Sequence, residues 1–394
     1  MNNIHSDILA LNGGASSIKF ALFASSDFGL ERKLSGKIER MGMNGTHLSF
    51  IDSTAEQPQT LSISVTDYQS AARFLFDWFE KQQLFATLGA IGHRVIQGMQ
   101  HAESELVTPD LLDELRLMLP FGQEQLRNEI EMIVTLRDRY PHLRQVACFD
   151  TAFHHEMPLI AKWLPIPRRY LAKGVQRYGF YGLAYISLLA ELRQLGDPAA
   201  IEGRVILAHL GAGSSLAAVL NGKSIDTSMG FTPTSGLPMS TRSGDLDPEL
   251  SAYLAHIEKM TPAQFSHMVN HESGLLGVSE LSADMCDLLA AEPDDTRAAE
   301  AVALYCYQVK KWIGGFAAAL GGIDTLVFSG GIGENAPLIR THICEGLEFL
   351  GIELDANRNQ AASGLISKDN SKVSVRVIRT DEELTIAHAT LRFA

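Results

Sequence analysis

Cysteine is scarce in this chain of 394 residues: Cys148, Cys286, Cys306 and Cys344 stand far apart, with no C-x-x-C pair among them. That spacing argues against both a disulfide framework and a zinc knuckle, and points to reduced thiols in a cytoplasmic protein. No apolar run approaches the roughly 20 residues of a membrane helix, so no membrane partner is expected. Positions 1–11, MNNIHSDILAL, carry neither the basic start nor the apolar core of a secretory signal. Lys/Arg-rich runs are missing too: 33 Lys and Arg face 46 Asp and Glu, a formal net charge of −13. A duplex-binding surface shows the opposite balance, so nucleic acid is not an expected partner. Such a field repels anions, and an anionic ligand must be held by a few placed cations and backbone N–H groups. The phosphate loop GxxxxGK[ST] is also absent.

What is present reads as an α/β protein. The length suggests two or three domains, and 46% hydrophobic with 20% charged residues is an ordinary globular composition. Strands are predicted over Asp7 to Leu11, Ser17 to Phe23, Leu61 to Val65, Leu88 to Ile96, Gln145 to Phe149, Val205 to Leu210, Thr325 to Ser329 and Val373 to Ile378. Between them, Thr66 or Asp67 caps a helix striped by Ala71, Phe74, Leu75, Trp78 and Phe79. Thr108-Pro109 opens a second helix, Leu126, Ile130, Ile133 and Leu136 stripe a third, and Thr296 to about Leu320 is a long Ala-rich one. No low-complexity linker divides the chain. The expected domains are 1–150 with a returning helix over 384–394, and 151–383.

One design occurs twice. Asn12-Gly-Gly-Ala-Ser-Ser17 and His209-Leu-Gly-Ala-Gly-Ser-Ser215 each join an apolar strand to another through a Gly/Ser corner, with Ser16 and Ser214 198 residues apart (214 − 16). Two such halves suggest a duplicated domain, with both corners turned to a shared cleft. Glycines let backbone N–H groups approach an anion, and hydroxyls add donors. A third corner is expected at Ser329 to Asn335, beyond the carboxyl end of a buried strand. Arg94 lies in a strand-like run, where a charge is costly unless paired or anion-bound. Arg242 sits in a Gly/Pro-rich loop. Two arginines with three such corners suggest a site for transferring phosphoryl charge.

These residues resemble the acetate kinase family of the acetate and sugar kinase, Hsp70 and actin superfamily. The family's G-H-R-V-V is matched by Gly92-His-Arg-Val-Ile96, F-D-T-A-F-H by Phe149 to His154, D-T-S-M-G-F-T-P by Asp226 to Pro233, G-L-P-M-x-T-R-S-G-D by Gly236 to Asp245 and G-G-I-G-E-N by Gly330 to Asn335. N-x-G-S-S-S-x-K, R-Y-G-F-H-G, H-L-G-N-G and T-N-E-E-L are approximated at Asn12 to Lys19, Arg177 to Gly182, His209 to Gly213 and Thr380 to Leu384. The resemblance implies duplicated actin-like, ribonuclease H-like ATPase domains, and an ATP- and Mg²⁺-dependent kinase that makes an acyl phosphate from a short carboxylate, reversibly, as a homodimer. Carried over, Asn12 and Glu382 serve the metal. Lys19, Ser16, Ser17, His209, Leu210, Gly211, Ala212, Gly213, Asp284, Met285, Cys286, Gly331, Ile332, Gly333, Glu334 and Asn335 line ATP or ADP. Arg94 holds the carboxylate or the transferring phosphoryl, Arg94, Ile96, Phe121, Phe180 and Pro233 form the acceptor pocket, and Asp150, Arg94, Arg242 and Tyr181 carry catalysis.

The chain departs from the family at Tyr181, Gln97, Ala212 and Cys286, where the family has histidine, histidine, asparagine and arginine, and at Phe121 to Glu124, where it has L-H-N-P. Tyrosine donates one hydrogen bond but is uncharged near neutrality, so a slower or redirected enzyme is implied. A carboxylate acceptor is already ionised, so Asp150 is expected to orient an arginine or the metal–phosphate assembly, not to remove a proton. A nucleotide-binding sensor without turnover is the competing reading, and it leaves Arg94, Asp150, Arg242, Asn12 and Glu382 together unexplained. His154 and His155 are expected to be structural, and Trp78, Phe74 and Phe79 to be core.

Overall fold

A computed structural model describes residues 7–14, 17–27, 29–41, 45–119 and 124–394. The chain forms two compact units, Met1–Ala152 with Asp381–Ala394, and Phe153–Thr380. No described helix is long and apolar enough to cross a membrane.

The first unit is built on β1 (Asp7–Gly13), β2 (Ile18–Ser26), β3 (Gly29–Glu39), β4 (His47–Asp52), β5 (Gln59–Ser62), β6 (Leu88–Val95), β7 (Glu105–Leu106) and β8 (Arg144–Phe149), in the sheet order β5-β4-β3-β2-β1-β6-β8-β7. β1 and β2 pair antiparallel through the predicted corner, while β1–β6 and β6–β8 are parallel. Leu9 and Leu11 of β1 pack with Ala71, Leu75, Trp78 and Phe79 of the Tyr68–Lys81 helix. That helix starts at Asp67, whose carboxylate accepts the Ser70 N–H at 2.7 Å in a capping box. The alternation of a strand turns Asn12 to the opposite face, where the Glu382–Leu391 helix lies against β1, β6 and β2. Gly92 makes that docking close: a Cβ there would lie 2.1 Å from Thr390 Oγ1 and 2.6 Å from Ile386 Cγ2.

β5 starts earlier than the Leu61 to Val65 alternation predicts. Its four residues are all exposed, so pairing with β4, rather than a buried face, sets its extent.

The second unit contains β9 (Arg204–Leu210), β10 (Ser214–Leu220), β11 (Lys223–Thr227), β12 (Thr325–Ser329) and β13 (Ser374–Val377), in the order β11-β10-β9-β12-β13. The senses repeat those of β3-β2-β1-β6-β8: antiparallel, antiparallel, parallel, parallel. The sequence repeat is therefore a repeat of topology. The Thr296–Leu320 helix, N-capped by Asp295, buries Tyr305, Val309 and Ile313 in the core cluster with Ile206, Ala208 and Leu216 of the sheet.

The expected third corner is instead the start of a short helix, Gly330–Asn335. Three glycines in six residues give little helix propensity. The turn is fixed from outside: Glu334 accepts the Gly330 N–H at 2.9 Å, and fully buried Arg340 donates to the Gly333 and Glu334 carbonyls at 2.8 and 3.0 Å.

Gly92→Ala is expected to destabilise the protein by about 1–3 kcal/mol through overpacking. Hydrogen exchange should accelerate first in the Glu382–Leu391 helix; unchanged protection there would contradict the role given to Gly92.

Candidate active site

In the first unit, parallel pairing of β6 with β8 sets Arg94 opposite Cys148 and brings Asp150, just past the end of β8, beside it. Arg94 is 9% and Asp150 1% exposed. Arg94 Nε and Nη2 both donate to Asp150 Oδ2, at 2.9 and 2.6 Å, and Nη1 donates to the Gly13 carbonyl at 3.0 Å. Burial works against the guanidinium charge, but the carboxylates of Asp150, Glu382 and Glu129 more than offset it, and its pKa rises. The charge costly to bury is therefore paired, and Asp150 orients an arginine. Beside it, Ile96 is 5% exposed.

Neighbouring His93 is buried against Gln145, with its pKa pushed down to about 4 by burial, so it stays neutral. On the other face of β1, Asn12 Nδ2 donates to Glu382 Oε2 and Glu383 Oε1, each at 2.9 Å. Burial, then the charge of Glu382, raises the Glu383 pKa, against the lowering effect of Lys19 and Asn12. Adjacent carboxylates under this strain, with an amide, are hard oxygen donors that suit Mg²⁺, which takes only one or two carboxylates and keeps its waters. Among the described residues no group of three or more His, Cys, Asp or Glu makes a closed metal cage. Lys19 is exposed, and the Ser17 carbonyl accepts the Gly14 N–H at 2.8 Å, closing the corner. Ser16 and Phe121 lie outside the described residues.

In the second unit the β9–β10 turn and the Gly330–Asn335 helix meet. His209 Nδ1 lies 3.2 Å from Ser329 Oγ. Gly330 has φ +78°, and a Cβ there would lie 2.6 Å from the Leu210 carbonyl oxygen; one at Gly211 would be 3.6 Å from the Gly331 N. At Gly330 only glycine permits this approach, whereas the Gly211 distance is ordinary van der Waals contact. Tyr181 takes a left-handed φ of 63° at the start of the Gly182–Gln194 helix, and its ring centroid is 4.7 Å from that of His209. A Cβ on Gly213 would lie 2.0 Å from the Tyr181 hydroxyl and 3.6 Å from Arg242 Nη1. Tyr181, His209, Gly213 and Arg242 therefore converge. Arg242 is half-buried, yet among the described residues it meets only neutral acceptors, the Pro233 carbonyl at 3.3 Å and Met239 Sδ at 3.6 Å.

The stretch Arg177 to Gly182 is pinned to β11 and the loop after it by Arg177 Nη1, which reaches the Thr227, Ser228 and Met229 carbonyls at 3.0–3.2 Å. Phe180 is buried, its carbonyl 3.0 Å from the ring of His154, which burial holds neutral with a pKa of about 4. Both ring nitrogens of His154 are taken within the fold, by Ser224 Oγ at 2.8 Å and by that carbonyl. Asp284 accepts the Cys286 N–H at 2.8 Å and caps the Met285–Ala291 helix. Asp284 and Cys286 are exposed, whereas Met285 turns into the core.

The family model of the Acetokinase family matches residues 7–388. The chain belongs to the acetokinase family. An acetate kinase of Rhodopseudomonas palustris is 40% identical over 98% of each chain. A propionate kinase of Citrobacter rodentium is 39% identical, over 98% of this chain and 96% of its own. Among solved structures, a propionate kinase from Francisella tularensis superposes with a TM-score of 0.89 at 34% identity, over 98% of this chain and 99% of its own, and an acetate kinase of Porphyromonas gingivalis with 0.85 at 34%, over the same shares. The fold is thus the duplicated actin-like one of these kinases, as its strand orders show. Reading the sequence missed Glu129, Gln125 and Tyr68, which lie against Gly13. A signal for Glu129 was there: an acid on the apolar face of Leu126, Ile130 and Ile133.

Gly213→Ala should cost about 1–3 kcal/mol by driving a methyl into the Tyr181 hydroxyl. Adding Tyr181→Phe, which removes that oxygen, should recover most of the loss in denaturant melts. Strictly additive losses would show that the contact is not what requires glycine.

Proposed function

We propose that this member of the acetokinase family transfers the γ-phosphoryl group of ATP to the carboxylate of acetate or propionate, giving an acyl phosphate and ADP, reversibly. Enzymes of this family are phosphotransferases with a carboxyl acceptor. The observation that carries the reading for this chain is the contrast between its two guanidiniums. Arg94 is buried and oriented by Asp150, whereas Arg242 is half-buried and meets no carboxylate among the described residues. A cation left without an anion beside a glycine turn suits a group that brings its own negative charge.

In this reading Arg94 holds the acceptor carboxylate and Ile96 meets its alkyl end, and the family resemblance assigns Phe121, Phe180 and Pro233 to the same acceptor. A carboxylate oxygen attacks the γ-phosphorus, the bond from that phosphorus to the bridging oxygen breaks, and ADP leaves with the electron pair. No proton needs to move, because the nucleophile is already ionised. Asp150 therefore acts through Arg94, and both its hydrogen bonds from that residue support this. Arg242 and the Tyr181 hydroxyl stabilise the migrating PO₃ unit. The nucleotide is taken by His209 to Gly213 and Gly331 to Asn335, with Lys19, Ser16, Ser17 and the Asp284 to Cys286 segment as further contacts. Asn12 and Glu382 would hold Mg²⁺, which when bound neutralises phosphate charge. The four free cysteines and the family resemblance support a cytoplasmic homodimer.

Hydroxylamine trapping of acyl phosphate with ATP, Mg²⁺ and C2 to C5 carboxylates tests the reading. Product is expected from acetate or propionate; product only from larger acids would move the substrate, and ATP binding with no product would overturn the reaction. Asp150→Asn should lower turnover by roughly 10²–10³, and Tyr181→His should raise it. Full activity in Asp150→Asn, or an unchanged or lower rate in Tyr181→His, would contradict the roles given.

A further inference from the structure

Behind Arg94 lies a carboxyl group that the reaction above does not use. Glu129, on the Glu124–Arg139 helix, has 0% exposure. Its Oε2 accepts the Ile96 backbone N–H at 2.8 Å, and its Oε1 accepts Gln125 Nε2 at 3.1 Å. The same Gln125 amide donates to the Gly13 carbonyl at 3.0 Å, onto which Arg94 Nη1 also donates at 3.0 Å. Gly13 is thus a junction between the Glu129 and Arg94 networks. The Tyr68 hydroxyl comes down on the same point: a Cβ on Gly13 would lie 2.2 Å from it and 3.7 Å from Glu129 Cγ. That buried hydroxyl has no hydrogen-bond partner among the described residues.

The charges in this pocket do not balance. Arg94 on β6 is the cation, Asp150 past β8 the paired anion, and Glu129 a second acid facing the same guanidinium. Glu382, on the last helix, adds its field at Arg94. Tyr68, from the Tyr68–Lys81 helix, is kept neutral because burial, then Glu129, raises its pKa. Burial pushes the Glu129 carboxyl up to about 8, with Asp150 acting the same way and Arg94 and the Ile96 N–H opposing. An ionised Glu129 would set an extra anion behind the cation that must hold a substrate anion.

We infer that Glu129 is a positioning residue whose protonation sets the affinity of the Arg94 site for the carboxylate substrate, the acid form admitting it and the ionised form repelling it. This rests on the proposed reaction only in that Arg94 takes the carboxylate. The consequence is linkage: binding a carboxylate at alkaline pH should draw a proton onto the protein. A residue with a purely structural role would take up none.

The test is calorimetric titration of the full-length wild-type protein with propionate, in buffers of differing ionisation enthalpy. Proton uptake is expected to approach about one per propionate at pH 9 and to be near zero at pH 6.5. In turnover, the carboxylate KM should rise about tenfold per pH unit above about 8, while kcat and the nucleotide KM stay level. Glu129→Gln, which can still accept the Ile96 N–H, should abolish the uptake and flatten the KM profile. Propionate that binds without pH-dependent proton uptake, fails to bind at any pH, or keeps its KM slope in Glu129→Gln overturns the inference. Propionate that binds with uptake but yields no acyl phosphate would sink the proposed reaction and leave the role of Glu129 standing.

Discussion

A guanidinium on a buried strand keeps its charge only if an opposite charge shares its cavity. Arg94 meets that condition through Asp150, which takes two of its N–H groups on one carboxylate oxygen. Breaking such a pair by removing one partner leaves an uncompensated buried charge, a far larger effect than losing a surface ion pair. The geometry around it follows. β6 must run parallel to β8 for Asp150 to arrive, and Gly13 must present its carbonyl to Arg94 Nη1. Asp150 is thereby occupied as an orienting group, in keeping with a reaction whose nucleophile has no proton to lose.

The second unit solves a related problem with backbone. Its β9–β10 turn and the helix after β12 approach so closely that a side chain at Gly330 is excluded, and Tyr181 comes so close to Gly213 that a side chain is excluded there too. The duplicated strand order gives each unit one such turn in mid-sheet. The copies have diverged in what surrounds it: a buried ion pair and an amide–carboxylate cluster in the first, Tyr181 and an arginine that meets only neutral acceptors among the described residues in the second.

Much of this was legible in the residues. Apolar runs on either side of the Gly/Ser corners marked β1, β2, β9 and β10, and the cost of burying a charge marked Arg94 before its partner was visible. Thr66 or Asp67 and Thr108 were recognisable as caps, and Asp67 and Thr108 each accept a hydrogen bond from their helix. What escaped depended on tertiary contacts. A run of Gly-Gly-Ile-Gly-Glu-Asn has no local reason to be helical until Arg340 and Glu334 take up its backbone groups. β5 is exposed throughout, so no hydrophobic pattern could fix its start. Glu129 stood out only as an acid on the apolar face of its helix, and its neighbours Ile96, Gln125 and Arg94 meet it only through packing. Asp284 and Cys286 had only a motif behind them; Asp284 caps a helix by accepting the Cys286 N–H.

The most direct test of the account is to separate the two substrates at Arg94. Arg94→Ala should cut acyl-phosphate formation from acetate and propionate by at least about 10², while ADP affinity, measured calorimetrically, stays within about twofold of wild type. ADP affinity lost in step with turnover, or turnover that survives the substitution, would contradict the claim that Arg94, fixed by Asp150, is the cation that holds the carboxylate.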